Sequence, residues 1–299
     1  MDMATLVKRV DSAATLSVIA NSALAELGSP SCTPKSVAAI ITKDPILSSK
    51  IIRTANSSLF GFIFKTADIE TAIIRLGISR VRAITMGMAA GQLFRGTRQI
   101  GTYTPLRVWE HSVAVGIMAE VIAESASRKE VRELSGSALL AGLVHDIGII
   151  LEDQFMPDEF ATVALHAAKE KLPIFRAEMP RWQFDHAGFG AAVLRRWRIP
   201  EDIAVAVAQH HSNYDRKDPI LVHIVMMAEI LASASGHGFT DVTTFPRTEF
   251  GHLQSRLGLM GRVFNNVRTT FDTRIKEALA LFAVDEDTSD EDAGDEEEE

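Results

Sequence analysis

The stretch Ser137-Ala-Leu-Leu-Ala-Gly-Leu-Val-His-Asp-Ile-Gly-Ile-Ile-Leu151 decides the reading of this chain. It is long enough for about four helical turns and apolar nearly all round, the pattern of a helix buried on every side. His145 and Asp146 fall in its middle. An ionised aspartate there would be costly in lipid, so the segment belongs in a protein interior and no membrane span is expected. A buried imidazole and carboxylate each need a partner.

The dominant periodicity on both sides is helical. Val37, Ile40, Ile41, Ile46, Leu47 and Ile51 recur at spacings of three to five, and Asp44-Pro45 between them reads as an N-cap followed by proline at the first helical position. A helix over Ile69–Leu76 is stopped by Gly77, and another after Ser79 carries Val81, Ile84, Met88 and Leu93. Beyond a glycine- and threonine-containing loop at 96–106, helices are read at Val108–Glu124, Ser137–Leu151, His186–Trp197, Glu201–His211 and Pro219–Ser235, with Pro180, Pro200 and Pro219 marking breaks. Alternating polar and apolar runs are absent, so the fold class is all-α. The layout expected is an N-terminal helical subdomain at 5–100 packed with a helical lobe at 101–235, a C-terminal helical extension at 236–284 and a disordered acidic tail at 285–299.

Composition agrees. The chain has 299 residues, 46% hydrophobic and 23% charged, the profile of a folded globular protein. Eleven of its 39 acids fall in 285–299, so the rest carries 31 bases against 28 acids and is nearly neutral. That balance gives no general field for nucleic acid, and the Arg195, Arg196 and Arg198 cluster reads as a solvated helix face, so direct DNA binding is not expected. Gly87, Gly91 and Gly96 follow no strand and read as close-packing positions, not a phosphate loop. The single cysteine, Cys32, makes no internal disulfide, and Met1–Asn21 lacks an export signal, so a reducing, cytoplasmic setting is expected.

Five of the nine histidines fall in suggestive places. His111 shares a helix face with Val115, Met118 and Ile122, and His186 shares one with Phe189, Gly190, Val193 and Trp197. At least one of the adjacent His210 and His211 faces the core. Four helices thus aim imidazole nitrogen inward. A core histidine satisfied by a carbonyl explains any one of them; for the set, a shared metal is the simpler account. Neutral imidazoles with one or two carboxylates suit iron, manganese or zinc, as one ion or a binuclear pair.

The ordered series His111, His145-Asp146, His186, His210-His211 resembles the HD superfamily of metal-dependent phosphohydrolases. A narrower likeness is carried by Ile41-Thr-Lys-Asp-Pro-Ile-Leu-Ser-Ser-Lys-Ile-Ile-Arg-Thr-Ala-Asn-Ser-Ser58, Ala72-Ile-Ile-Arg-Leu-Gly77, Trp109-Glu-His-Ser112, Ala141–Gly148 and Asp185–Gly190. These blocks resemble the HDOD family, related to the HD-GYP cyclic dinucleotide phosphodiesterases. The resemblance implies an all-helical bacterial signalling protein acting through contacts with other signalling proteins, with a nucleotide or phosphate as a further ligand. It implies a metal set of His111, His145, Asp146, His186, His210 and His211, completed by Glu229 where the superfamily has aspartate. If there is catalysis, Asp146 carries it. Two departures oppose catalysis: Ile149 stands where the phosphodiesterases place a phosphate-holding lysine, and Ser-Asn-Tyr-Asp215 replaces their Gly-Tyr-Pro loop. Phe60 and Phe62, after Asn56 and Ser57, read either as a partner-contact surface or as cover for the core.

Overall fold

The computed structural model describes residues 2–13, 17–57, 64–239 and 247–283. Phe60, Phe62 and the acidic stretch 285–299 lie outside the described residues. Among those described the fold is all-α, with no strand beyond one antiparallel bridge between Ile100 and Tyr103.

The first six helices are α1 (Met3–Ala13), α2 (Val18–Leu27), α3 (Pro34–Ile41), α4 (Pro45–Ala55), α5 (Ile69–Leu76) and α6 (Ile78–Gly91). Their ends follow from local chemistry. Asp44 Oδ1 accepts from the backbone N–H of Ile46 and Leu47, both at 3.0 Å, which starts α4 at Pro45. Gly77, at φ 80, ends α5 and turns the chain into α6. Asn56 holds the backbone of Thr66 from both sides, its Nδ2 donating to the carbonyl at 2.7 Å and its Oδ1 accepting from the N–H at 2.8 Å. That gives the asparagine of the Asp-Pro to Asn-Ser block a structural task.

The second half comprises α7 (Pro105–Ser125), α8 (Lys129–Arg132), α9 (Ser135–Val144), α10 (Ile147–Phe155), α11 (Pro157–Glu170), α12 (Ile174–Trp182), α13 (His186–Arg196), α14 (Glu201–Gln209), α15 (Ile220–Ala232), α16 (Arg247–Leu257) and α17 (Arg262–Leu281). The centre of the molecule is the α7–α9 pair, with α6, α14, α15 and α17 packed around it. The two central helices approach closely: a Cβ at Gly142 would lie 2.6 Å from the Gly116 Cα. The buried apolar side chains form one continuous cluster from Leu6 to Phe282. Helix α1 packs on α10 and α13 of the second half, and Arg196 pairs with Asp11 at 2.9 Å.

Several sequence expectations are corrected. The segment Ser137–Leu151 is two helices, because the chain leaves helical geometry at Asp146, φ −101 and ψ 16. Helix α14 ends at Gln209, which leaves His210 as its cap. Pro180 lies inside α12 instead of breaking it, near the helix C-terminus. Helices α11 and α12 were not read from the sequence at all. Two stretches, Ser135–Phe155 and Ile220–His237, are long and apolar enough to cross a membrane by length and composition; 89% of the first window and 50% of the second are buried inside the protein.

Candidate metal centre

Six helices or their ends converge on one point. Helix α7 brings His111, the α9–α10 junction brings His145 and Asp146, the first residue of α13 is His186, the end of α14 brings His210 and His211, and α15 brings Glu229. All seven residues proposed from the sequence are thus gathered. Close helix contact makes this possible: a Cβ at Gly148 would lie 2.1 Å from the His186 carbonyl oxygen. With any larger residue there, α10 and α13 could not bring Asp146 and His186 together.

The Asp146 carboxylate sits in the middle. Its Oδ2 lies 3.2 Å from His145 Nε2 and 3.7 Å from His111 Nε2, while Oδ1 lies 3.3 Å from His186 Nε2 and 3.4 Å from His210 Nε2. Glu229 Oε2 joins the first side, 2.9 Å from His111 Nε2 and 3.1 Å from His145 Nε2. His211 Nε2 joins the second, 2.9 Å from His186 Nε2. Two groups able to hold a metal ion result: His111, His145 and Glu229, and Asp146, His186, His210 and His211.

The other ring nitrogens explain why the Nε2 atoms face inward. Nδ1 of His145 faces the Gly142 carbonyl at 2.8 Å, that of His210 the Val207 carbonyl at 2.6 Å, and that of His111 the His237 carbonyl at 2.7 Å. Carbonyl oxygens only accept, so Nδ1 carries a proton and the Nε2 atom is turned to the centre. His186 differs: its Nδ1 and its backbone N–H both donate to Glu178 on α12, at 2.9 and 2.8 Å to Oε2.

Two observations bear on whether a metal fits. Asp146 Oδ1 and His210 Nε2 are buried and without a hydrogen-bond partner among the described residues, a costly state in a protein interior. Donor atoms bound at about 2.1 Å to one ion and about 90° apart would be separated by about 3 Å, close to the spacings found here. Nitrogen-rich donors with two carboxylates suit a divalent transition metal.

The electrostatics agree. Burial alone would lower the His145 pKa, but Asp146 and Glu229 lift it to about 10. Burial raises the carboxyls of Asp146 and Glu229, yet the histidines facing them hold both well below the usual range. His211 moves the other way, pushed well down by burial, then by His210 and His186. The pocket thus favours positive charge between its carboxylates. Behind it lies Glu152, both oxygens buried and without a hydrogen-bond partner among the described residues, its carboxyl held well above the usual range by burial and then by Glu178.

Glu229 is partly exposed, and so is His211. The Glu229 side chain is 18% exposed, whereas those of His145 and Asp146 are 0% and 3%. Phe175 stacks on His211, ring centroids 4.3 Å apart, and Phe239 lies 5.1 Å from the His111 ring. Ile149 is fully buried in the hydrophobic core. His223 stands apart, fully buried with Nε2 facing the Asp215 carbonyl at 2.9 Å.

Sequence reasoning missed Glu178, Glu152, Phe175 and Phe239. Glu178 left a trace: it lies four residues after Ile174, an acid on the buried face of a helix.

Residues 13–213 match the HDOD domain. This chain belongs to the HDOD domain family. Glu229 and the His237 carbonyl lie past the matched segment, so the helix after it completes the centre. An uncharacterised protein of Treponema pallidum (strain Nichols) is 22% identical over 176 residues, 59% of this chain and 33% of that protein; the HDOD chain thus spans about a third of that relative. Among solved structures, an HDOD domain protein of unknown function from Geobacter sulfurreducens superposes with a TM-score of 0.72 at 22% identity, over 94% of this chain and 98% of the other. A protein provisionally named a phosphohydrolase, from Shewanella amazonensis SB2B, gives 0.69 at 19% identity over 93% and 98%. One provisionally named a signal transduction protein, from Marinobacter aquaeolei VT8, gives 0.68 at 19% over 90% and 58%. These likenesses establish the shared fold.

Proposed function

We propose that this HDOD protein is a signalling component that works through protein contacts and holds divalent transition metal, iron, manganese or zinc, in a binuclear centre. The observation that carries the reading is the division of Asp146, whose two oxygens face separate histidine groups. Asp146 would offer one oxygen to each of the two groups, and divalent ions held there would supply Lewis-acid chemistry. His111, His145 and Glu229 would hold one, and His186, His210 and His211 the other. The test is metal analysis of protein purified without added metal or chelator. The expected result is up to two equivalents of iron, manganese and zinc together, lost in Asp146→Ala; well under half an equivalent in folded wild-type protein would refute it.

A second reading, a metal-dependent phosphohydrolase acting on a nucleotide or cyclic dinucleotide, is favoured by the partial exposure of Glu229. Divalent ions held there would polarise a phosphoryl oxygen and acidify water. The chain itself would orient the histidines through their Nδ1 partners and exclude water on the Phe175 and Phe239 sides. Metal-dependent release of phosphate or nucleotide from a phosphoester panel, lost in Asp146→Ala, would establish this reading over the first.

A further inference from the structure

We infer that Glu178 is a positioning residue for the second metal group, fixing the His186 ring and adding negative charge to that of the shared Asp146. The inference rests on the metal-binding reading above.

The two groups differ in composition. The first has two imidazoles and Glu229, with Asp146 Oδ2 beside them; the second has three imidazoles and only the shared Asp146. A divalent ion in the second group would therefore meet less negative charge. Glu178 restores the balance one bond further out. It is fully buried, and it touches His186 through both the backbone N–H and Nδ1. A backbone N–H can only donate, so Glu178 Oε2 is an acceptor there, and Nδ1 of His186 carries the proton that it gives to the same carboxylate. Nε2 is left to face Asp146 Oδ1 at 3.3 Å. His111, His145 and His210 obtain the same orientation from neutral backbone carbonyls, so none of their orienting groups adds charge. A carboxylate behind a ligating imidazole also raises its basicity, an effect a carbonyl gives more weakly.

The experiment is stepwise manganese(II) binding to the full chain, followed by equilibrium dialysis and electron paramagnetic resonance. Glu178→Gln keeps the shape but removes the charge. The expected result is that the first ion binds Glu178→Gln as it binds wild type, while the second binds about 10- to 100-fold more weakly. Glu229→Gln is expected to weaken the other step. Unchanged binding of both ions in Glu178→Gln, or equal weakening of both in folded protein, would overturn the inference. A second measurement needs no variant: nitrogen-15 correlation spectra of the metal-free wild type should show His186 protonated at Nδ1, and a proton on Nε2 alone would overturn it. Wild type that binds no metal defeats the proposed function and leaves the spectrum to decide the role of Glu178.

Discussion

Trp109 Nε1 donates to the Phe282 carbonyl at 2.8 Å across 173 positions of sequence. The Phe282 ring also stands edge-on to Trp109, centroids 6.3 Å apart, and fills the space that Gly87 leaves on α6. The end of α17 is thereby stitched to the helix that carries His111 two residues later.

Phe282→Ala is therefore expected to cost about 3 kcal/mol, as a buried phenylalanine truncated in a core does. Urea denaturation at constant slope would show it as a lowered midpoint. Deleting residues 285–299 leaves all these contacts in place, and the expected change in Tm is under about 5 °C. A larger drop would mean that the acidic stretch docks on the body.

Gly148→Ala should disturb both fold and centre, since the new methyl meets the His186 carbonyl at 2.1 Å and backbone must move. A loss of about 2 kcal/mol or more is expected, together with reduced metal retention. Gly251→Ala, on α16 with nothing within 4 Å, is the comparison and is expected to be neutral or slightly stabilising. Equal behaviour of the two variants would refute the close approach of α10 and α13.

Glu120 provides a pH signature away from the metal groups. It is buried on α7, with Oε1 2.6 Å from Arg80 Nε and Oε2 unpartnered; Glu124, one turn on, also pairs with Arg80 and with Arg274 of α17. Burial pushes its carboxyl up to about 7, against the pull of Arg80. The folded state then holds a proton that the unfolded chain, near 4.5, has released. Stability is lost as pH rises between these values and is level above about 7. The stability of wild type relative to Glu120→Gln, in chelator, should fall by a few kcal/mol at most between pH 4.5 and 7.5. Parallel curves for the two proteins would contradict this.

Cyclic di-GMP should be a poor substrate or none. Ile149 is packed in the core at the position where the resemblance to HD-GYP proteins implies a phosphate-holding lysine, and the segment after His211 offers no Gly-Tyr-Pro sequence. Turnover with manganese is expected well below about 1 per second. A faster rate, abolished by Asp146→Ala, would show that other groups hold the phosphate.

The helical class, the capping at Asp44 and Gly77 and the inward set of histidines are legible in the residues alone, because capping and periodicity act within a few residues of the same helix. Glu229 was reached through family likeness alone, since its surroundings Met-Ala-Glu-Ile-Leu carry no local signal of a ligand. The break at Asp146 was not legible: the residues around it are uniformly good core formers, and a helix reading runs straight through. Helix packing sets the rest: Asp146 divides its oxygens between two histidine groups, Glu178 and three backbone carbonyls orient the rings, and Phe282 closes over Trp109. Those relations depend on how α7, α9, α10, α13, α14 and α15 cross, and crossing is set by packing between segments far apart in the chain, which no single helix's pattern records.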